Sequence, residues 1–439
     1  MRGGFALTAF RLGLVQAAIG AVVVLMTSTL NRVMVVELRL PAAVPGALVA
    51  LHFAVQFILR PRFGHASDGR RRTGWIVGGL LLLAVSGVGA AASTLLIAQH
   101  RPMGLLVALA AFLGIGAGVS AAGTPLLALV AELIPAERRA KGAATVWLMM
   151  VAGFIVTTVV ASRLLEPFSL VAMVRATAIV SGAAVSVALL ALVGLEPDVV
   201  PVRDAEAPPA AFRDAVAAVW GDRTARLFTL FILASMLAFS AQDLILEPFA
   251  GAVFGLSPAQ STRIASMHQG GMLIGMLACA FLAARIGGLR AWAIGGCAAS
   301  ALAFLLVASA PALGSVPVLR IGVLALGVGN GAFAIGAVGL MMALSVAPGG
   351  GGAGVRMGVF GAAQAVAQAV GGFAGAAGSD VARLALGSTA GGYTLVFALE
   401  ALCFLGAALL AYRGGVGAAV ERSPLLASER SDALLAQVG

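Results

Sequence analysis

"AFSAQDLILEPFAG", residues 238–251, sets Gln242, Asp243 and Glu247, and then Pro248, at the end of a long apolar run. Charged side chains are costly inside a bilayer, so their depth decides how the run is read. The first long apolar run closes in a related way. "NRVMVVEL" (31–38) stands where "AQDLILEP" (241–248) stands, and Glu37 falls opposite Glu247. The two stretches mark the far ends of spans one and seven of a repeated chain. At about 1.5 Å per residue, Asp243 lies roughly 24 Å and Glu247 roughly 30 Å along span seven, near the outer interface. Two readings stay open. One is helix termination with solvated carboxylates. The other is a polar lining of an outer mouth between the halves, made by Asn31, Arg32, Glu37, Gln242, Asp243 and Glu247.

The rest of the chain fits that reading. Of 439 residues, 61% are hydrophobic and 10% charged, and the mean hydropathy is +1.04. Apolar runs recur at the length of a bilayer crossing, about 20 residues. Alternating barrel strands are absent. The first apolar run is long and has no A-x-A-like site, so it reads as a span rather than a cleavable signal. Twelve spans are expected, near 12–36, 43–60, 74–97, 103–131, 142–162, 168–194, 227–249, 259–284, 290–310, 318–346, 354–378 and 390–412. The expected fold is an all-α polytopic membrane protein. It has a six-helix half at 1–194, a linker at 195–226, a second half at 227–412 and a tail at 413–439. "AFRDAVAAVWGDRTARLF" in the linker predicts an amphipathic surface helix, with Phe212, Val216, Val219 and Trp220 on its apolar side.

The net charge of +10 is an orientation signal rather than a nucleic-acid footprint, because the Arg residues are spread over loops. With the N-terminus in the cytoplasm, most basic residues sort to that side, including Arg60, Arg62, Arg70, Arg71, Arg72, Arg138, Arg139, Lys141, Arg213 and Arg223. Both termini and the linker are expected there. Cys279, Cys297 and Cys403 lie in apolar spans and read as small core residues, with no disulfide framework or metal spacing.

The repeat extends further. Span six opens "FSLVAMVRA" (168–176) and span twelve "YTLVFALEA" (393–401), an ungapped match that sets Arg175 opposite Glu400. Internal repeats of this kind are common in transporters. The loop after span two, "GHASDGRRR", has Gly64, Asp68, Arg70, Arg71 and Arg72 in an arrangement that resembles the cytoplasmic loop motif of the major facilitator superfamily. More narrowly, "LVQAAIGAVVVLMTSTLNRVMVVEL" (14–38), "ALVALHFAVQ" (47–56) and "SMLAFSAQDLILEPFAGAVFGLSP" (235–258) resemble the PucC-like light-harvesting assembly branch of that superfamily, over nearly the whole chain. The resemblance implies a major-facilitator-like fold in a bacterial inner or intracytoplasmic photosynthetic membrane. It implies a non-enzymatic role: handling bacteriochlorophyll or a late precursor as bound cargo. The implied partners are light-harvesting or reaction-centre polypeptides and pigment-synthesis enzymes.

A bacteriochlorophyll needs an axial ligand for its Mg and a groove for a flat ring, and neutral imidazole is the usual protein ligand. Four His are present. His65 and His100 fall in loops. His52 and His268 each follow, by ten or so residues, a proline that opens a span, which puts them roughly 15 Å deep. A polar group there is either bonded to a neighbouring helix, a pigment contact, or a proton relay. Gln364 and Gln368 lie one turn apart on span eleven among Gly361, Gly371, Gly372 and Gly375. Such a face suits a flat ligand, and it equally suits close helix packing. Arg175 and Glu400 stand on the peripheral spans six and twelve, so they are expected to face lipid or a partner. Arg175 is shallow enough to snorkel. Glu400 is deep enough to need a donor, a Mg centre or a proton.

No catalytic or metal signature is present. "GGGGAGVRM" lacks the Lys of a phosphate loop. No His/Cys cluster, G-x-S-x-G elbow or paired-Asp motif occurs. The competing functional reading is a secondary transporter of a small amphipathic solute. Spans one, four, seven and ten show no clear mid-span carboxylate, which disfavours proton coupling.

Overall fold

The computed structural model describes residues 2–67, 71–134, 139–195, 217, 220–283, 285–345 and 353–413. Among these, the chain is helical throughout. Helix α1 (Arg2–Val24) runs on through two π-helical stretches, Leu25–Leu30 and Val33–Glu37. It is followed by α2 (Ala43–Ser67), α3 (Arg72–Gln99), α4 (Arg101–Leu133), α5 (Arg139–Leu164) and α6 (Leu170–Leu192). The second half supplies α7 (Arg223–Phe254), α8 (Pro258–Leu282), α9 (Gly288–Ser309), α10 (Val316–Ser345), α11 (Ala353–Leu386) and α12 (Thr389–Arg413). Eleven spans, all but α11, are long and apolar enough among the described residues to cross a bilayer. The protein is an integral membrane protein. Most of the expected surface helix of the linker, with Phe212, Val216 and Val219, lies outside the described residues, as do the tail and Asp68 and Arg70 of the loop motif; Trp220 is described and exposed.

The chain forms two compact units. One contains residues 1–204, 242–270 and 372–393; the other contains 205–241, 271–371 and 394–439. These units do not coincide with the two halves of the sequence. The C-terminal parts of α7 and α11 and the first half of α8 group with α1–α6.

Small residues set the closest helix contacts in each unit. In the first, a Cβ on Gly79 would lie 2.4 Å from the Ala122 nitrogen, and one on Gly118 would lie 2.7 Å from the Leu83 nitrogen. These positions bring α3 and α4 backbone to backbone. In the second, Gly296 against Phe333 (2.4 Å) and Gly329 against Ser300 (2.7 Å) do the same for α9 and α10. The sequence repeat is thus also a packing repeat, of the small-residue kind that membrane helices favour. Aromatic rings fill the second unit. Phe304 contacts Phe397 and Phe404, and Phe333 contacts Phe231 and Phe404, each with ring centroids 5.9 Å apart.

Helix α7 differs from expectation. Pro248 does not close it, and the helix continues to Phe254. Asp243 and Glu247 therefore lie about two to three turns inside its end.

Candidate functional site

Proline has no N–H, so an interior proline leaves the carbonyl one turn earlier without its helical donor. For Pro248 that carbonyl belongs to Leu244. Asn31, on α1 between the two π-helical stretches, donates its side-chain amide to the Leu244 oxygen at 2.5 Å. The break in α7 is thereby closed by a residue of α1.

A buried polar layer is built around this joint, wholly within the first unit. Glu247 is 2% exposed. Ser28 donates to its Oε1, and Ser261 and Thr262 of α8 donate to Oε2 at 3.3 Å each. The Thr29 and Thr262 hydroxyls are 3.2 Å apart. Arg32 is 2% exposed, and it donates to Glu37 at 2.5 Å and to the Leu256 carbonyl at 2.6 Å. A Cβ on Gly251 would lie 2.9 Å from the Arg32 guanidinium, so α7 needs a glycine there. Gln242, fully buried, donates from its amide to His268 Nε2 at 3.2 Å. The expectation of an open polar mouth is corrected. Asn31, Arg32, Gln242 and Glu247 are buried, Glu37 is half-buried and Asp243 exposed. The cause is the continuation of α7 and the packing of α8 across it. Ser28, Thr29, Ser261 and Thr262 went unremarked in the sequence because isolated hydroxyls in apolar runs usually bond their own helix.

The two deep histidines prove unlike. His268, 3% exposed, uses Nε2 on Gln242. His52, 1% exposed, turns Nδ1 to the Val49 carbonyl at 2.8 Å. A carbonyl only accepts, so Nδ1 carries the hydrogen and Nε2 of the neutral ring keeps its lone pair. That Nε2 is buried with no hydrogen-bond partner. Opposite His52, α4 is bare: a Cβ on Gly116 would lie 2.7 Å from the His52 carbonyl oxygen. In the second unit, Gln364 and Gln368 are both half-buried on α11.

Of the loop motif, Arg71 is exposed and Arg72 is 6% exposed. Arg72 holds Glu132 at the end of α4 through Nε (3.0 Å) and Nη2 (2.6 Å), and donates to Ser67 at 3.0 Å. The motif thus ties α2, α3 and α4 together, and Glu132 is a partner that sequence spacing did not reveal.

The repeat mates Arg175 and Glu400 also part company. Arg175 is exposed. Glu400 is 4% exposed, so the expectation that it faces lipid or a partner is overturned. It shares the α12 face of Phe397, Phe404 and Ala407, all buried in the second unit. In the same unit Ser300 donates to Asn330 at 2.8 Å, both fully buried, a polar pair that sequence spacing did not reveal. Among the described residues no group of three or more His, Cys, Asp or Glu is placed to hold a metal.

Comparison with known proteins agrees with the fold and narrows it. A bacterial homologue of the human lysosomal transporter Spinster, inward-facing and unoccupied, superposes with TM-score 0.71 at 12% identity, covering 96% of this chain and 99% of that one. A D-xylose–proton symporter superposes with TM-score 0.71 at 17% identity, covering 93% and 98%. These likenesses establish the major facilitator fold. In sequence, the "Bacteriochlorophyll synthase 44.5 kDa chain" of Rhodobacter capsulatus is 43% identical, over 92% of this chain and 94% of the relative. The "Protein PucC" of Cereibacter sphaeroides is 31% identical over 74% and 73%. Residues 29–414 match the PUCC protein family, and the chain belongs to the PucC family, built on the major facilitator fold.

Proposed function

We propose that this protein is a non-enzymatic membrane factor that binds bacteriochlorophyll or a late precursor and delivers it during assembly of light-harvesting or reaction-centre complexes. The observation that carries the reading is kinship along 92% of the chain with a protein named as a bacteriochlorophyll synthase chain. The geometry of His52 supports it. A neutral imidazole whose Nδ1 is fixed by a backbone carbonyl presents Nε2 as a ligand, the arrangement by which second-shell bonds orient metal-binding histidines. At 1% exposure the ring is covered, so a macrocycle reaches it only when neighbouring side chains move aside. Gln364 and Gln368 are proposed as further pigment contacts. Asp243 is proposed as a polar group presented to the cargo or to water. The distribution of Arg supports cytoplasmic termini in a bacterial inner or intracytoplasmic photosynthetic membrane.

The test is purification in mild detergent from a fully pigmented host and from a pigment-less one. An absorption spectrum with stoichiometric bacteriochlorin bands, and antenna, reaction-centre or pigment-synthesis polypeptides among the co-purifying proteins, is the expected result. Colourless protein without such partners overturns the reading. It would favour the second one, a secondary transporter of a small amphipathic solute, which the fold relatives make the natural alternative.

A further inference from the structure

Glu247 sets a charge problem that nothing in the proposed function solves. It is 2% exposed inside a spanning helix. Arg32 is the cation beside it, but Arg32 is committed to Glu37 at 2.5 Å and to the Leu256 carbonyl. Glu37 offsets that charge. Both Glu247 oxygens then meet only neutral hydroxyls, from Ser28, Ser261 and Thr262. A carboxylate buried in a membrane span, with its hydrogen bonds supplied only by neutral hydroxyls and the nearby Arg32 shared with Glu37, is expensive.

Its surroundings suit one class of counter-charge. Ser28 and Thr29 of α1, Glu247 of α7, and Ser261 and Thr262 of α8 converge as a set made only of oxygens. Oxygen-only sets select hard cations over transition metals. Thr29–Thr262, Ser261–Glu247 and Thr262–Glu247 are 3.2 to 3.3 Å apart, while Ser28 lies closer to Oε1 and Ser261 also donates to the Pro258 carbonyl at 3.0 Å. One carboxylate so held matches one positive charge, whereas a divalent ion would leave an excess in the membrane. The π-helical stretch Leu25–Leu30 turns Ser28 and Thr29, adjacent in sequence, into the same layer. Such π turns recur at functional sites.

We infer that Ser28, Thr29, Glu247, Ser261 and Thr262 form a binding site for a small monovalent cation of the Na⁺ class, which ties α1 to α7 and α8.

The experiment uses the full chain in detergent at fixed pH and ionic strength. Sodium chloride is titrated against choline chloride while thermal unfolding is followed, and bound ²²Na⁺ is measured by equilibrium dialysis. The expected result is a saturable rise in Tm with Na⁺ alone and near-stoichiometric ²²Na⁺, both lost in Glu247→Gln. Where Glu247→Gln does not accumulate, Ser261→Ala decides. It should weaken apparent Na⁺ affinity by about tenfold, equivalent to about 1.4 kcal/mol. Wild-type protein that unfolds identically in Na⁺ and choline and binds no ²²Na⁺ overturns the site and leaves a proton as the neutralising charge. Unaltered ²²Na⁺ binding in Glu247→Gln or in Ser261→Ala also overturns it.

Discussion

Asn31 donates its side-chain amide to the backbone carbonyl of Leu244, 2.5 Å away, on the one turn of α7 where Pro248 supplies no donor. A side chain of the first repeat thus replaces a missing backbone hydrogen bond of the second.

That relationship predicts a coupled pair of substitutions. Asn31→Ala orphans a buried carbonyl and should cost about 1–3 kcal/mol. In a Pro248→Ala background the backbone N–H returns, so the same Asn31→Ala change should cost clearly less. A double-mutant cycle on chemical or thermal unfolding reads the difference. Equal costs in both backgrounds would show that Asn31 serves some other bond.

His52 and His268 should respond in opposite ways. His52 Nε2 is buried and unbonded, so His52→Leu removes an unsatisfied polar atom and should leave the pigment-free protein as stable as wild type, or slightly more so. His268→Leu strips the buried Gln242 amide of an acceptor and should lower stability by about 1–3 kcal/mol. In a pigmented host the order reverses for cargo: His52→Leu should lose most of the bacteriochlorin absorbance per protein, and His268→Leu should keep it. Full pigmentation of His52→Leu protein would remove His52 from the binding site.

The glycines divide into two sorts that stability measurements separate. A Cβ at Gly331 would lie 2.0 Å from the Met272 carbonyl oxygen, where only backbone could yield. Gly331→Ala should therefore destabilise by roughly 1–3 kcal/mol or block accumulation. Gly182 and Gly406 have nothing within 4 Å. Alanine at either should raise stability, by up to about 1 kcal/mol, through helix propensity alone. Fluorescence-detected size-exclusion thermostability would show whether the order holds.

The helices were readable because a bilayer imposes one length and one composition on every span, and the repeat gave their pairing. The end of α7 was not readable. Proline usually stops a helix, and that rule fails where a neighbour satisfies the freed carbonyl, as Asn31 does for Leu244. The same misreading of α7 put Glu247 at the water's edge when it lies under Ser28, Ser261 and Thr262. The depth of His52 and His268 followed from counting residues. Their tautomers did not, because those depend on which carbonyl or amide the fold brings to each ring. Glu132 as the anchor of Arg72 was likewise hidden, since 60 residues of sequence separate them.

Glu400 tests how far a sequence repeat predicts an environment. Its alignment with Arg175 is ungapped, and the peripheral place of spans six and twelve suggested that both face lipid or a partner. The structure separates them: Arg175 is exposed, whereas Glu400 is 4% exposed on the face of α12 that carries Phe397 and Phe404. Both rings pack on Phe304, so Glu400 lies on an aromatic-lined helix face rather than toward lipid. Two substitutions distinguish the environments. Glu400→Gln keeps volume and hydrogen-bonding capacity and sheds any charge, so accumulation and thermal stability should stay near wild type, because burying an amide costs less than burying an ion. Glu400→Arg copies the residue of the repeat mate, but here it would force a larger, permanently charged group into a packed core. Accumulation in the membrane should fall sharply, by the several kcal/mol that an unpaired buried charge costs. The reciprocal change, Arg175→Glu, should be tolerated because that position is exposed. Quantitative blotting of membrane fractions decides the matter: wild-type levels of Glu400→Arg protein would mean that α12 turns this position to lipid after all.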